Sequence, residues 1–273
     1  MSSNLDWRNL VRHARRLPPI IPRLGWRALR ALSFPGAMVR WLRDRRAYRT
    51  MPGAESVRWR DSDPQLFDRL PASPYDSHYF HQDVWAAKNV ATRGPERHVD
   101  VGSRVDYVGF LTSLTRVTFV DIRPLEAEVE GLDSVAGSVL ALPFGDGSLE
   151  SVSCLHVAEH IGLGRYGDEL NPDGTRRAAT ELQRVLQVGG QLLFSLPVGK
   201  PRLCFNAHRI HSPEQIAAMF PELELVEFSG VDDAGTFKRH RSLADLERSR
   251  YACGMFRFTR PAAGPVTRKA AAG

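Results

Sequence analysis

Two short apolar runs that each end in an aspartate constrain the fold of this chain more than any other feature. The run from Arg97 to Asp100 leads into Val101 and Gly102, and a second run ends at Asp121. The two aspartates are 21 residues apart (121 − 100), a spacing that fits one strand–helix–strand unit. A carboxylate at the tip of a parallel strand, one unit after a glycine turn, can accept hydrogen bonds from both hydroxyls of a ribose. The spacing therefore predicts an α/β domain that binds an adenosine-containing cofactor.

Strand and helix patterns alternate through the middle of the chain. We predict strands over 97–101, 117–121, 138–142, 149–155 and 191–196, and late strands over 223–228 and 255–258. Helices are predicted over 73–92, 106–114, 175–186 and 213–220. This alternation is typical of a doubly wound, mostly parallel sheet, in which ligands bind at the carboxyl ends of the strands.

The positive charge of the chain is concentrated at its beginning. Residues 1–60 hold 14 Arg and three acidic residues, a net of +11, whereas the whole chain is +6, which leaves −5 for the remainder. Proline and glycine at Pro22, Pro35-Gly36 and Pro52-Gly53 predict short, interrupted helices there. We therefore expect a basic helical extension over 1–60, a main domain over 61–262 and a disordered tail over 263–273.

The basic extension has three possible roles. A solvated cap over the main domain is the first, and docking to an anionic membrane surface at the inner face of the membrane is the second. Nucleic-acid binding is the least favoured, since no recognised reading module accompanies the charge.

Three widely spaced cysteines predict neither a disulfide framework nor a zinc knuckle. We expect no metal site, and we expect a reducing, cytoplasmic location because no apolar signal-peptide core is evident.

The loop after the first strand disfavours two classes of cofactor. Dinucleotides and nucleoside triphosphates need a glycine-rich phosphate loop, but Gly102 is followed by no glycine until Gly109, and Asp106 adds a negative charge. S-adenosylmethionine has no phosphate, and its ammonium and sulfonium groups favour nearby carboxylates. The loop therefore favours S-adenosylmethionine.

Four segments resemble the class I (Rossmann-like) methyltransferase superfamily. Asp100-Val-Gly-Ser looks like its first motif, and Asp121 matches its ribose-binding acid. Ala141-Leu-Pro-Phe with Asp146, and the helix-to-strand turn at Gly189-Gly190, match two later motifs. Further segments around His78–Trp85, Phe205–Arg209, Val231–Asp233 and Tyr251–Phe256 resemble a poorly characterised methyltransferase-like family whose domain has no known function.

The resemblance implies a Rossmann-like fold and a set of site residues. It implies cofactor contacts with Asp100, Gly102, Ser103, Asp121, Ile122, Leu140, Ala141 and Leu142, the last three beside the adenine. It also implies that His156 and His160 lie near the transferred methyl group as candidate catalytic bases, and that substrate contacts come from Asn206, His208, Arg209 and His81. The acceptor is expected to be a small molecule or a glycan.

Two alternatives remain open on sequence alone. His156–His160 reads as HxxEH, the inverted zinc-protease signature, but it directly follows a strand and Gly162 comes almost at once, so this reading is disfavoured. The thin glycine loop leaves a second alternative, a catalytically inactive methyltransferase fold that serves as a binding or scaffold module.

Overall fold

The chain forms two compact units, Met1–Tyr75 and Asp76–Gly273, in a computed structural model. The structure describes residues 20–262, and side chains from residue 30 onward. Predictions that fall on residues 1–19 and on the tail 263–273 lie outside the described residues. The sequence pattern placed the boundary between the two units earlier, after residue 60.

The first unit is built on one long helix, α1 (Ile20–Arg49), followed by a short 3-10 turn at Trp59–Asp61. The prediction of several short helices was wrong, because α1 continues through Pro35. A proline in a helix interior costs about 3 kcal/mol, and the surrounding alanine, leucine and arginine residues are strong helix formers. Two of the arginines in this unit make contacts within it. The Arg45 guanidinium lies 3.9 Å above the Trp59 ring, and Arg40 donates to the Leu66 carbonyl at 2.9 Å.

The second unit is an eight-stranded sheet in the order β3-β2-β1-β4-β5-β10-β8-β9. Pairs among the first five strands are parallel, whereas β10 runs antiparallel to both β5 and β8. The strands of this sheet are β1 (Arg97–Val101), β2 (Arg116–Asp121), β3 (Leu132–Ala136), β4 (Leu149–Leu155), β5 (Leu186–Val198), β8 (Glu224–Val231), β9 (Phe237–Lys238) and β10 (Ala252–Thr259). The predicted doubly wound, mostly parallel fold is confirmed.

Helices and a small hairpin complete this unit. The helices are α2 (Ser77–Arg93), α3 (Val105–Leu111), α4 (Gly174–Val185), α5 (Pro213–Ala218) and α6 (Ala244–Glu247), and the hairpin pairs β6 (Arg202–Cys204) with β7 (His208–Ile210). The core lies in two clusters, one holding side chains of α2 and α3 and the other those of α4 and α5. Alternation along β5 sends Leu193 to the first cluster and Leu192 and Phe194 to the second. Two clusters on opposite faces of one sheet define a doubly wound fold.

Ser138–Leu142, predicted as the third strand, is a loop with one isolated bridge between Ser138 and Ala141. The third strand is Leu132–Ala136, which lies at the edge of the sheet and is only partly buried. Among the described residues, no helix is long and apolar enough to span a membrane.

Candidate functional site

A cleft of about 530 Å³, part of it open to solvent, lies at the carboxyl ends of β1, β2 and β4. Parallel sheets of this kind bind ligands at that edge. The walls of the cleft come from the loops after four strands, and they include Gly102, Asp121, Ile122, Arg123, Gly137, Ser138, Val139, His156, Val157, His160, Ile161 and Tyr166.

Gly102 forms the turn at the floor of the cleft. Its φ of +70° is a left-handed conformation that favours glycine. A Cβ at this position would lie 3.2 and 3.3 Å from the two methyl carbons of Val157. The turn therefore brings bare backbone to the cleft surface, as close approach to a ligand requires.

Asp100 lies behind this turn, fully buried. Its carboxylate accepts from the Ser103 N–H at 3.0 Å, from the Ser103 hydroxyl at 2.7 Å, and from the Ser153 hydroxyl. Burial raises the pKa of Asp100 to about 6, although these hydrogen bonds oppose the rise. Asp100 and Ser103 are absent from the lining of the cleft and support the turn from behind, so their direct contact with a cofactor stays a prediction.

The support continues into a buried polar chain that sequence reasoning missed. His98 bonds to the Ser151 hydroxyl through Nδ1 at 2.7 Å and to the Ser153 hydroxyl through Nε2 at 2.8 Å. Gln191 donates to the same Ser151 hydroxyl at 3.0 Å. Since the Ser153 hydroxyl donates to Asp100, it accepts from Nε2–H of a neutral His98. Burial lowers the pKa of His98 to about 3. A histidine inside an apolar strand carries no spacing signal, so nothing in the sequence could have shown this network.

Asp121 is the acidic side chain that does reach the cleft. Its Oδ1 accepts from the Arg123 backbone N–H at 2.7 Å. Its Oδ2 points towards Gly102, 3.5 Å from where a Cβ of that glycine would lie. The neighbouring Ile122 side chain is half exposed and lines the same cleft. The carboxylate and the glycine turn thus face each other at the carboxyl ends of β2 and β1.

The third wall of the cleft is formed by Gly137–Val139. The predicted wall, Leu140, Ala141 and Leu142, does not line the cleft. Leu142 is buried in the core, and its N–H donates to Glu181 at 2.6 Å. The chain leaves the sheet at Ala136, so the residues at the strand end come earlier than predicted.

His156 and Glu159 form a buried pair just past the tip of β4. His156 Nδ1 lies 2.9 Å from Glu159 Oε1, and His156 Nε2 lies 3.4 Å from the Cys253 sulfur. Burial lowers the pKa of His156, but the interactions with Glu159 and Cys253 together outweigh burial and raise that pKa well above 6.5. A protonated imidazole cannot accept a proton, so this geometry does not support His156 as a catalytic base.

His160 lies beside Glu159, the other member of this pair. Its Nδ1 lies 2.6 Å from the Ala207 carbonyl, and its Nε2 lies 3.6 Å from Glu159. Burial lowers the pKa of His160 below its usual value, against the pull of Glu159. His160 is therefore neutral at pH 7, with one ring nitrogen committed to the backbone.

Arg209 holds the loop after β4, which forms one wall of the cleft. Its guanidinium donates to the carbonyls of Ile161 and Asn171, the latter at 2.7 Å, and the side chain is buried. Ile161 and Tyr166 of this loop line the cleft. Arg209 thus holds the loop through two backbone carbonyls, and its contact with a substrate stays a prediction.

The other predicted substrate residues are dispersed. Asn206 is exposed in the turn of the β6–β7 hairpin. The His208 ring packs on Tyr251, with ring centres 5.2 Å apart. The His81 ring stacks on Phe237 of β9 at 5.0 Å and does not line the cleft. Of the four predicted substrate residues, none lines the cleft.

Solved structures share this arrangement of strands and helices. A putative sarcosine dimethylglycine methyltransferase from Galdieria sulphuraria superposes with a TM-score of 0.50 at 13% identity, over 67% of this chain and 86% of that one. The class I methyltransferase fold is therefore the fold of this chain.

Two further structures are similar at the level of fold. The N-methyltransferase NodS from Bradyrhizobium japonicum, solved with S-adenosyl-L-homocysteine, gives a TM-score of 0.49 at 16% identity, over 74% of this chain and 94% of that one. The YcgJ protein of Bacillus subtilis gives 0.49 at 15% identity, over 67% of this chain and all of that one.

Sequence comparison gives one family match within the methyltransferase fold. Residues 144–250 match the family described as Caenorhabditis protein of unknown function, DUF268. No curated protein sequence matches the chain. The matched segment holds β4, β5 and the His156–Glu159 pair, whereas Gly102 and Asp121 precede it.

The methyltransferase fold also assembles a cluster that sequence reasoning did not foresee. Rings of His78, Tyr79, His156, His208 and Tyr251 pack in contact with one another near Cys253. These residues come from α2, the loop after β4, β7 and the residue just before β10, so only the fold brings them together. Most of these residues lie in the segments that resemble the methyltransferase-like family of unknown function, and that shared resemblance was the signal in the sequence that could have grouped them.

Proposed function

We propose that the chain is an S-adenosylmethionine-dependent methyltransferase that acts on an oxygen or nitrogen atom of a small-molecule or saccharide-like acceptor. The observation that carries the proposal is the Asp121 carboxylate at the tip of β2, facing the Gly102 turn across the cleft. No glycine-rich phosphate loop accompanies them. A ribose bound without a phosphate fits this pair.

In this proposal, different residues of the cleft bind different parts of the cofactor. Asp121 accepts hydrogen bonds from the ribose hydroxyls, and Ile122 with Gly137–Val139 covers the adenine. The Gly102 turn, braced by Asp100 and Ser103, lies against the methionine end. Bound S-adenosylmethionine supplies an electrophilic methyl group on a sulfonium sulfur.

The acceptor binds at the end of the cleft bounded by His156, His160 and Tyr166. The protein accelerates transfer chiefly by holding the acceptor atom in line with the methyl group. We assign no general base, since His156 is paired with Glu159 and one nitrogen of His160 is committed to the Ala207 carbonyl. A glycan acceptor is supported only by the family resemblance.

Calorimetry with S-adenosylhomocysteine tests the cofactor site. We expect wild type to bind it and Asp121→Ala to bind about 10–100-fold more weakly, since hydrogen bonds to a charged group contribute about 1.5–3 kcal/mol. Asp133→Ala is the matched control, because Asp133 is an exposed acid on neighbouring β3 and should leave affinity unchanged.

Two outcomes would contradict the proposal. Wild type that binds no S-adenosylhomocysteine at millimolar ligand would favour an inactive scaffold. Equal weakening by both variants would show that Asp121 acts through general charge and not through contact. NADH serves as the comparison ligand, and we expect no binding of it.

A further inference from the structure

Three side chains just past the tip of β4, one of which lines the cleft, form a set of metal-binding donors. A ring nitrogen of His78, a ring nitrogen of His156 and the sulfur of Cys253 all lie within 4.8 Å of one another. They come from the first turn of α2, from the loop after β4 and from the start of β10. All three elements belong to the second compact unit.

The spacing of these donors is close to that of a zinc site. Zinc–nitrogen and zinc–sulfur bonds of about 2.0–2.3 Å in a tetrahedron place donor atoms about 3.3–3.6 Å apart. His156 Nε2 and the Cys253 sulfur are already 3.4 Å apart. The third donor, a ring nitrogen of His78, lies within 4.8 Å of both.

The surroundings of His156 supply the second, independent observation. Zinc-binding histidines usually donate their other ring N–H to a carboxylate, which fixes the ring and its tautomer. His156 has such a partner, since its Nδ1 lies 2.9 Å from Glu159 Oε1. Because Nδ1–H donates to Glu159, Nε2 beside Cys253 is the nitrogen that would release its proton and bind the metal.

Glu159 also brings a buried negative charge to the side of the proposed ligands. Glu159 is fully buried, and its Oε2 has no hydrogen-bond partner among the described residues. The groups within salt-bridge distance of it are His156 and His160. Buried charges are normally paired or coordinate a metal. A thiolate at Cys253 and the Glu159 carboxylate together offset the two charges of a zinc ion.

We propose that His78, His156 and Cys253 bind a zinc ion at the acceptor end of the cleft, with Glu159 as the carboxylate that orients His156. Three protein ligands leave a fourth position for water or substrate, as in catalytic zinc sites. His156 also lines the cleft, so the ion would border the space that the proposed function gives to the acceptor. The metal site itself does not depend on that function, because it is tested with metal alone.

The experiment uses the full chain, stripped with a chelator and reloaded with Zn²⁺ or Co²⁺. We expect one zinc per chain by elemental analysis of the purified protein. The cobalt form should show a near-ultraviolet thiolate-to-cobalt charge-transfer band. Cys253→Ser should abolish that band, and Cys204→Ser, a control at a cysteine on β6, should keep it.

A second pair of variants tests the histidine ligand on the same helix. His78→Gln should weaken zinc binding by about 100-fold or more, measured by competition with a chromophoric chelator, since loss of an orienting partner alone costs about 10–100-fold. His81→Gln, three residues further along α2, should leave affinity unchanged. Circular dichroism checks that each variant is folded.

A further variant keeps the proposal testable if Cys253→Ser does not fold. Glu159→Gln retains all three ligands, so it should keep the cobalt band and lose about 10–100-fold in zinc affinity. Sub-stoichiometric metal, copper in place of zinc in the purified protein, or a cobalt band unaffected by Cys253→Ser would overturn the proposal. Binding of S-adenosylhomocysteine is measured separately, so either proposal can fail alone.

Discussion

His98 shows how a single buried residue can make stability depend on pH. His98 is neutral, and its two ring nitrogens bond to the hydroxyls of Ser151 and Ser153. The Ser153 hydroxyl in turn donates to Asp100. Burial lowers the pKa of His98 to about 3, whereas burial raises that of Asp100 to about 6. The two groups therefore act on stability in opposite directions.

The sign of each effect follows from proton linkage. His98 has a lowered pKa, so its contribution is fully present above pH 6.5 and is lost as the pH falls towards 3. Asp100 has a raised pKa, so its contribution is fully present below pH 3.8 and is lost as the pH rises through about 6. Between these limits the two slopes partly cancel, and below about pH 4 the His98 effect remains alone.

His98→Gln isolates the histidine effect, because glutamine keeps a donor and an acceptor but does not titrate. The difference in unfolding free energy between wild type and variant should be constant above pH 6.5 and then shift in favour of the variant as the pH falls. At about one pKa unit per 1.4 kcal/mol, the shift by pH 3 should be on the order of 5 kcal/mol. Urea unfolding across this pH range measures it, and a difference independent of pH would refute a neutral, buried His98.

Asp100 and Asp121 mark the limit of what sequence can say about a residue. Each ends an apolar run, and the spacing correctly predicted that both lie near the carboxyl edge of a parallel sheet. Asp100 is followed by one more strand residue and is fully buried, whereas Asp121 ends its strand and keeps 16% of its side chain exposed. That difference depends on what packs against each residue, which a local pattern does not contain.

At the scale of elements, strands buried on both faces were predictable and edge elements were not. Both β1 and β4 match their predicted bounds, although each also carries buried polar residues such as His98 and Ser153 among its apolar ones. The edge strand β3 carries Asp133 and Ser134, so its pattern is weak. The more apolar segment after it, Ser138–Leu142, inserts Val139 and Leu142 into the core from a loop. In this segment, the apolar residues indicated burial in the core, but they did not indicate a strand.

The loop over the cleft depends on one glycine. Gly162 has a φ of +78°, and a Cβ there would overlap the Asn171 carbonyl oxygen. Gly167, in the same loop, has a φ of +85° with open space around it. Alanine at Gly167 should therefore cost only the left-handed strain, about 1–2 kcal/mol. Alanine at Gly162 should add a steric cost of about 1–3 kcal/mol.

Urea unfolding of Gly162→Ala and Gly167→Ala compares the two costs directly. Because Ile161 and Tyr166 of this loop line the cleft, Gly162→Ala should also weaken S-adenosylhomocysteine binding more than Gly167→Ala does. Equal losses of stability in the two variants would show that the loop does not depend on the close approach of Gly162 to Asn171.

At the scale of the whole molecule, charge and apolar exposure coincide on α1. Residues 1–60 carry +11, against −5 for the remainder, yet Leu32 and Val39 of α1 are 80% and 65% exposed. These two residues are seven positions apart, which places them on one face of a helix. Exposed apolar residues among arginines are typical of helices that lie in the interface of an anionic membrane.

Co-sedimentation with vesicles tests whether this face of α1 docks to membranes. We expect the full chain to pellet with anionic vesicles and to be released by salt, because each basic residue near such a surface contributes about 1 kcal/mol and screening removes it. The double variant Leu32→Ser/Val39→Ser should pellet less, since it loses the apolar part of the interaction. Val188→Ser, at an exposed valine of β5 in the other unit, is the control and should pellet like wild type. Equal pelleting of the double variant and wild type would reject docking by this face and leave the arginines of α1 to contacts such as that of Arg45 with Trp59.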